Sequence, residues 1–183
     1  GINYAKIADA LAAKIGKDVE LIDACDLFLS REEVIAYNQP YVTDDPGFGY
    51  VNGEGVISDI QDKDAVAAMV AKLAKADKPT VVYGAGAATP ELRDAYELVF
   101  YFDTTMQRLE LKMWEGELIP FGYTEAPEWY NWKEYHYSDY YMLARQKDYM
   151  YGAMTYYVEN YFEDDLVLVP RAAYDEIMST LVK

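Results

Sequence analysis

Three places in this sequence set polar or glycine residues at the ends of apolar runs, where chemistry is most often done in an open sheet. The first is Asp23 with Asp26, just past Val19-Glu20-Leu21-Ile22. A carboxylate pair at a strand's C-terminal end faces the crevice in which such sheets bind ligands, and could serve as general base or metal bridge. The same two residues could equally cap the turn and helix that follow. The second is Gly84-Ala85-Gly86-Ala87-Ala88, between Thr80-Val81-Val82-Tyr83 and a helix opened by Thr89-Pro90. Backbone N–H groups at such a turn can hold a phosphate or carboxylate. Only part of a dinucleotide fingerprint is present, since Ala stands at the third glycine position, so a tight strand-to-helix turn is the competing reading. The third is Asp103 with Thr104, after Leu98-Val99-Phe100-Tyr101-Phe102.

Other candidates are weaker. Asp44, Asp45, Glu54, Asp59 and Asp62 surround a loop with four glycines between Gly47 and Gly55. Their spacing matches no calcium loop, and a solvated acidic loop is the simpler expectation. The glycines would allow that loop to fold over the crevice as a lid. The single His136 and single Cys25 fall short of a zinc site or a Cys/His catalytic pair. No metal site is expected. Most of the 19 tyrosines lie between Tyr123 and Tyr174, together with Trp129 and Trp132. Packing or a protein interface accounts for such a set better than ligand stacking, because Tyr and Trp are enriched in interface cores.

The elements that must position these residues follow from periodicity. Ile7, Ala8, Leu11, Ala12 and Ile15 repeat at helical spacing and Gly16 stops them. Ser30 with Glu33 is a capping box for a short helix over Arg31–Tyr37, followed by a loop over 38–57. Asp64–Ala76 and Met106–Glu115 read as helices. Lys133–Tyr161 reads as one long helix or two, weakest at Gly152, and Asp165–Val169 as a last strand before a helix opened by Pro170. Val19–Ile22, Thr80–Tyr83, Leu98–Phe102 and Leu166–Val169 are expected in one mostly parallel sheet. Helices on both faces would make a three-layer, doubly wound α/β domain. Only about four strands are supplied, so an edge, first or central strand is expected upstream of Ile2, in a longer protein.

Composition narrows the function. The 183 residues carry 32 acidic and 16 basic side chains, a formal charge of −16. That surface repels phosphate backbones and anionic lipid, so neither nucleic acid nor membrane is an expected partner. With 52% hydrophobic residues the chain can build a core, and one domain is expected. It has no run of about 20 apolar residues and no signal-peptide pattern, and its lone Cys25 suits a reducing compartment; a cytoplasmic location is expected.

The order helix, strand-Asp, loop, helix, strand-Gly, strand-Asp and arginine-bearing helix resembles the nucleoside and shikimate-type P-loop kinases. Tyr4–Gly16 is similar to the helix after a Walker A loop, Val19–Asp26 to the strand whose terminal Asp meets substrate, and Leu98–Lys112, with Arg108, to the turn into the helix before the lid. No G-x-x-x-x-G-K-[ST] lies in the sequence, and between Met113 and Leu143 the only basic residue apart from His136 is Lys133. Phe100-Tyr101-Phe102-Asp103, Met113-Trp114-Glu115-Gly116, Asp139-Tyr140-Tyr141 and Val169-Pro170-Arg171 further resemble a kinase-like domain joined to bacterial mannose-6-phosphate-isomerase-type cupin proteins. That resemblance implies an accessory domain, itself not catalytic, that binds a sugar phosphate or other small molecule. It holds no cofactor of its own, and any zinc belongs to a cupin portion. The alternatives are a small-molecule kinase with its P-loop upstream, and an oligomerisation domain using the Tyr/Trp-rich second half.

Overall fold

A computed structural model of the chain describes residues 2–16, 18–123, 125–127, 132–162 and 165–181. Trp129 and Tyr130 lie outside them. The molecule is α/β. Helix α1 (Tyr4–Ile15) leads into β1 (Glu20–Asp23), α2 (Arg31–Val42), α3 (Lys63–Leu73) and β2 (Thr80–Tyr83). There follow α4 (Pro90–Arg93), β3 (Phe100–Asp103), α5 (Met106–Trp114) and α6 (Trp132–Glu134), which continues through a π-helical turn at Tyr135–Asp139 into α7 (Tyr140–Ala153). The chain then forms β4 (Tyr156–Phe162), β5 (Asp165–Pro170) and α8 (Arg171–Leu181).

The predicted strands exist, but they pair as two sheets rather than one. β1 and β2 are parallel, with Asp23 opposite Tyr83. β3 and β4 are parallel, with Asp103 opposite Glu159, and β5 returns antiparallel to β4. The unexpected element is β4, which the helical reading of Lys133–Tyr161 had absorbed. Tyr-Tyr-Val-Glu-Asn-Tyr-Phe is rich in aromatic and β-branched residues that suit a pleated, half-buried surface. The helix ends at Ala153, one residue beyond the suspected weak point at Gly152.

Local signals explain most helix starts. The Ser30–Glu33 capping box is formed, the Ser30 amide donating to Glu33 Oε2 at 3.0 Å. Asp62 caps α3 by accepting from the amides of Asp64 and Ala65, and Thr105 caps α5 by accepting from the Arg108 amide. Helix α2 runs five residues past its expected end, through Pro40. A proline this near the C-terminus removes one bond of the ladder, and Thr43, at φ 53°, turns the chain just beyond.

Three apolar clusters hold the molecule. One joins Ile22, Leu27, Val66, Met69 and Leu92; the second joins Val34, Ile57, Ile60, Phe121 and Met142; the third joins Val99, Met150 and Met154. The strands carry less of the core than their sequence promises: Leu98 is 56% exposed and Phe100 39%. The stripe on α1 is likewise half-covered, with Ala8 buried but Leu11 and Ile15 exposed.

Candidate functional site

Parallel pairing puts Asp23 and Tyr83 side by side at the C-terminal ends of β1 and β2, and Asp103, at the C-terminal end of β3, opposite Glu159 in the middle of β4. Helix α1 touches both groups. The Tyr4 ring meets Phe102 edge-on at 6.2 Å, and burial with the Asp103 charge pushes the Tyr4 hydroxyl up to about 12. Within two turns, Asp9 helps Asp23 and burial to raise Tyr83. The predicted residues at both strand ends therefore gather along the first half of α1.

Asp103 is the most heavily used of them. Its Oδ2 accepts from Lys147 Nζ at 2.7 Å and from the Tyr157 hydroxyl at 3.2 Å, while Oδ1 accepts from the Thr104 amide. Five tyrosines gather about this ion pair. Tyr157 and Tyr151 stack on Tyr174 at 5.0 and 5.5 Å, Tyr101 meets Tyr151 edge-on, and Tyr4 stands against the Asp103 charge. Burial, then the Asp103 charge, raises Tyr101 and Tyr157; Tyr174 is pushed up to about 12, chiefly by burial and its neighbour Tyr151. Hydrogen bonding and charge from Asp103 outweigh burial at Lys147 and hold its ammonium above the usual lysine range. The arrangement combines one carboxylate, one partly exposed cation and aromatic rings, groups suited to hydroxyls, an anion and an apolar sugar face respectively. Reasoning along the chain missed Lys147. Its only signal was a cation, close to Arg145, among tyrosines in a strongly acidic protein.

The other predicted residues have local duties. Asp23 Oδ1 accepts from the Cys25 amide at 2.9 Å, capping the short 3-10 turn at Ala24–Leu27, and Asp26 is exposed beside the Cys25 thiol. Burial and then the Asp23 hydrogen bond push that thiol up to about 12. Gly84, at φ 118°, brings its backbone so close that a Cβ would sit 3.3 Å from Asp23 Oδ1. Gly86, at φ 78°, is buried with Phe28, Gln61 and Ile57 within about 3 Å of where a Cβ would be, and its carbonyl accepts from Gln61 Nε2. Ala85, Ala87 and Ala88 pack against the second, first and third clusters in turn. This glycine turn is where the three clusters meet.

Around the long loop, the acidic residues act singly. Asp45 accepts from the amides of Gly47 and Phe48, Asp59 from the Val56 amide and the Tyr37 hydroxyl, and Asp62 from α3. Buried Asn52 fixes the loop by donating to Ser138 Oγ at 3.0 Å and accepting from the Gly55 amide at 2.8 Å; its own amide donates to the Tyr137 carbonyl. Arg145 donates to the carbonyls of Asn52 and Gly55, and Lys133 to those of Thr43 and Asp45. The loop is tied to the π turn and α7, which is not the behaviour expected of a lid. His136 lies edge-on between Trp132 and Tyr135. Among the described residues no three His, Cys, Asp or Glu side chains group as metal ligands, and no helix is long and apolar enough to cross a membrane. A shallow pocket lined by Glu20, Lys72, Lys75 and Thr80 lies at the opposite, N-terminal ends of β1 and β2.

Over residues 1–183 the sequence matches a family described as a domain of unknown function, DUF8485. The chain belongs to the DUF8485 family. Comparison of this DUF8485 domain with curated proteins and with solved structures finds no match.

Proposed function

We propose that this DUF8485 domain is a binding module of P-loop-kinase-like build, a doubly wound, mostly parallel sheet in three layers, that takes a sugar phosphate at the C-terminal ends of its strands. In this reading it serves as an accessory domain to a mannose-6-phosphate-isomerase-type protein. The observation that carries the ligand site is the Asp103–Lys147–Tyr157 group beside α1, with Asp23 and Tyr83 reaching the same helix from the other sheet. Lys147 would meet the phosphate, Asp103 a sugar hydroxyl, and the tyrosine rings the apolar sugar face.

Calorimetry with mannose, mannose 6-phosphate and ATP·Mg²⁺ tests this. The expected result is preference for mannose 6-phosphate over mannose, lost in Lys147→Met. Equal, undetectable binding of both sugars overturns it. One observation favours a second reading, a small-molecule kinase: the N-terminus of α1, capped by Asn3, opens beside both strand ends, and helix N-termini hold phosphates. An ATP·Mg²⁺ dissociation constant tighter than about 10 μM, roughly −7 kcal/mol, would move support to that reading.

A further inference from the structure

Strand β5 is an outer strand of the β3-β4-β5 sheet, and among the described residues it pairs only with β4. Natural sheets defend such an edge with lysines, prolines, bulges or inward-pointing charges. Here the defences stand only at the ends: Asp165 opens the strand, with the register shift of β4 beside it, and Pro170 closes it. Leu166, Val167, Leu168 and Val169 between them are uncharged, in a protein of formal charge −16. Side chains alternate across a sheet, so Leu166 and Leu168 face one way and Val167 and Val169 the other. Both faces are open at this edge: Leu168 is 54% exposed and Val167 51%.

The backbone of the edge has a defined direction. The Arg171 amide donates to the Thr155 carbonyl, towards β4. By the alternation of an antiparallel ladder, the amides of Val169 and Val167 turn the same way. The N–H and C=O groups of Leu166 and Leu168 then turn outward, together with the Pro170 carbonyl. Helix α8 adds apolar surface on the Val167 face, because its Tyr174 stacks on Tyr157, which lies opposite Val169. The helical stripe that starts at Tyr174 continues as Ile177, Met178 and Leu181, all of them exposed.

We propose that β5 pairs with β5 of a second copy of this chain, antiparallel about a two-fold axis at Leu168, joining two three-stranded sheets into one of six strands. In this register the two Leu168 residues exchange both backbone bonds, and each Leu166 amide donates to the Pro170 carbonyl of the other copy. Pro170 has no amide to leave unpaired. Asp165 stands opposite Arg171 of the other copy, an oppositely charged cross-strand pair at each end. Arg171 gives Nε to Asp175 and Nη1 to the Gly152 carbonyl, and a guanidinium has further N–H donors for Asp165. Centred on Val167 instead, the pairing would set Asp165 against Val169 and lose both charge pairs. The two α8 helices fall on the same face of the joined sheet, so Val167 and the exposed stripe of each copy share one apolar surface across the axis. With Leu166 and Leu168 these side chains present on the order of 500 Å² per copy, about 1,000 Å² for the pair, the size at which interfaces become specific. A two-fold pair uses up the edge of β5 in both copies and closes the assembly at two. Asp103 lies on β3, two strands from this edge, and the proposal holds whether or not the domain binds a sugar phosphate.

Analytical ultracentrifugation and hydrogen exchange read by NMR, over a concentration series of residues 1–183, test it. The expected result is a reversible monomer–dimer equilibrium in which the Leu166 and Leu168 amides gain protection as the dimer forms, with β1 and β2 unchanged. Leu168→Lys, at an exposed position, should weaken dimerisation at least tenfold and leave the melting temperature of the monomer as it was. Asp165→Lys tests the register: it sets like charges opposite Arg171 and should weaken the dimer, although it lowers the repulsion between two acidic copies. A monomer at every concentration overturns the proposal, and so does an open-ended assembly. A dimer that is indifferent to Leu168→Lys, or that leaves the Leu166 and Leu168 amides exchanging as in the monomer, overturns it by placing the interface elsewhere. An Asp165→Lys dimer as tight as the parent's, or tighter, overturns the pairing at Leu168.

Discussion

At Asp103 one carboxylate oxygen receives both an ammonium and a phenol, so its removal should be felt by several groups at once. Asp103→Asn keeps the shape but leaves Lys147 without its counter-charge. Because Lys147 is 38% exposed, water takes over part of the lost interaction and the expected cost is about 1–2 kcal/mol by thermal unfolding. A second readout separates charge from packing. Asp103 raises Tyr4, Tyr101 and Tyr157, so in the variant those hydroxyls should ionise at lower pH in the folded protein, seen in tyrosinate absorbance. Cys25 gives a second residue-level prediction. With its thiol held near 12, roughly one part in 10⁴ is thiolate at pH 8, so reaction with a disulfide reagent should be slow and should quicken in Asp23→Asn. Asp23 and Asp103 were legible as candidates from their places after apolar runs. Their partners were not, because Lys147 and Tyr157 lie 44 and 54 positions away and no local pattern links them.

The loop between α2 and the 3-10 turn at Ile57–Ile60 behaves as an element, and two of its residues decide its shape. Asn52 satisfies Ser138 and the Gly55 amide while fully buried. Asn52→Ala strands both partners and should cost about 2–4 kcal/mol in urea unfolding. Gly49 is tighter: a Cβ there would lie 2.3 Å from the Tyr41 carbonyl oxygen and 2.7 Å from the Tyr137 ring. Gly49→Ala should therefore destabilise more than Gly53→Ala, where nothing stands within 4 Å, and the pair gives an internal control. Among the elements, helices with caps were readable: Ser30–Glu33 announces α2 and Gly16 ends α1. Strand β4 was not, since Tyr156–Tyr161 continues a tyrosine-rich stretch whose apolar residues suit either period, and only pairing with β3 and β5 decides it. The glycines of the loop announced unusual backbone but not its cause, which is the packing of Asn52 and Tyr137.

Across the molecule, burial raises the hydroxyls of tyrosines in several separate places: Tyr4, Tyr96 and Tyr174 reach about 12. A group whose pKa is higher folded than unfolded gives stability that is complete below the unfolded value, near 10 for tyrosine, and lost as pH climbs through the folded value. The domain should thus keep a flat stability up to about pH 10 and unfold cooperatively between about 10 and 12, releasing these tyrosinates in one step. A titration showing each tyrosine ionising independently near 10 would contradict the burial. The −16 charge acts in the same direction at all pH values above neutrality, so added salt should raise the melting temperature by screening self-repulsion. At this scale the sequence made the α/β class legible through its alternation of strands and helices. The division into two sheets was hidden, because pairing depends on which edges meet, and edges are not written in composition or period.

The π turn at Tyr135–Asp139 has a geometric consequence. Such a turn accommodates one residue more than an α-helix would, so it works as a phase shifter between α6 and α7, turning one relative to the other by about 100°. Upstream of it, Glu134 is aimed at Arg31; downstream, Met142 is aimed into the core beside Val34 and Ile57. Deleting one residue within Tyr135–Asp139 would restore an unbroken α-helix while forcing a choice between those two alignments. The shortened protein should show more helical circular dichroism per residue and a lower melting temperature, since one of the two interactions must then point the wrong way round the axis.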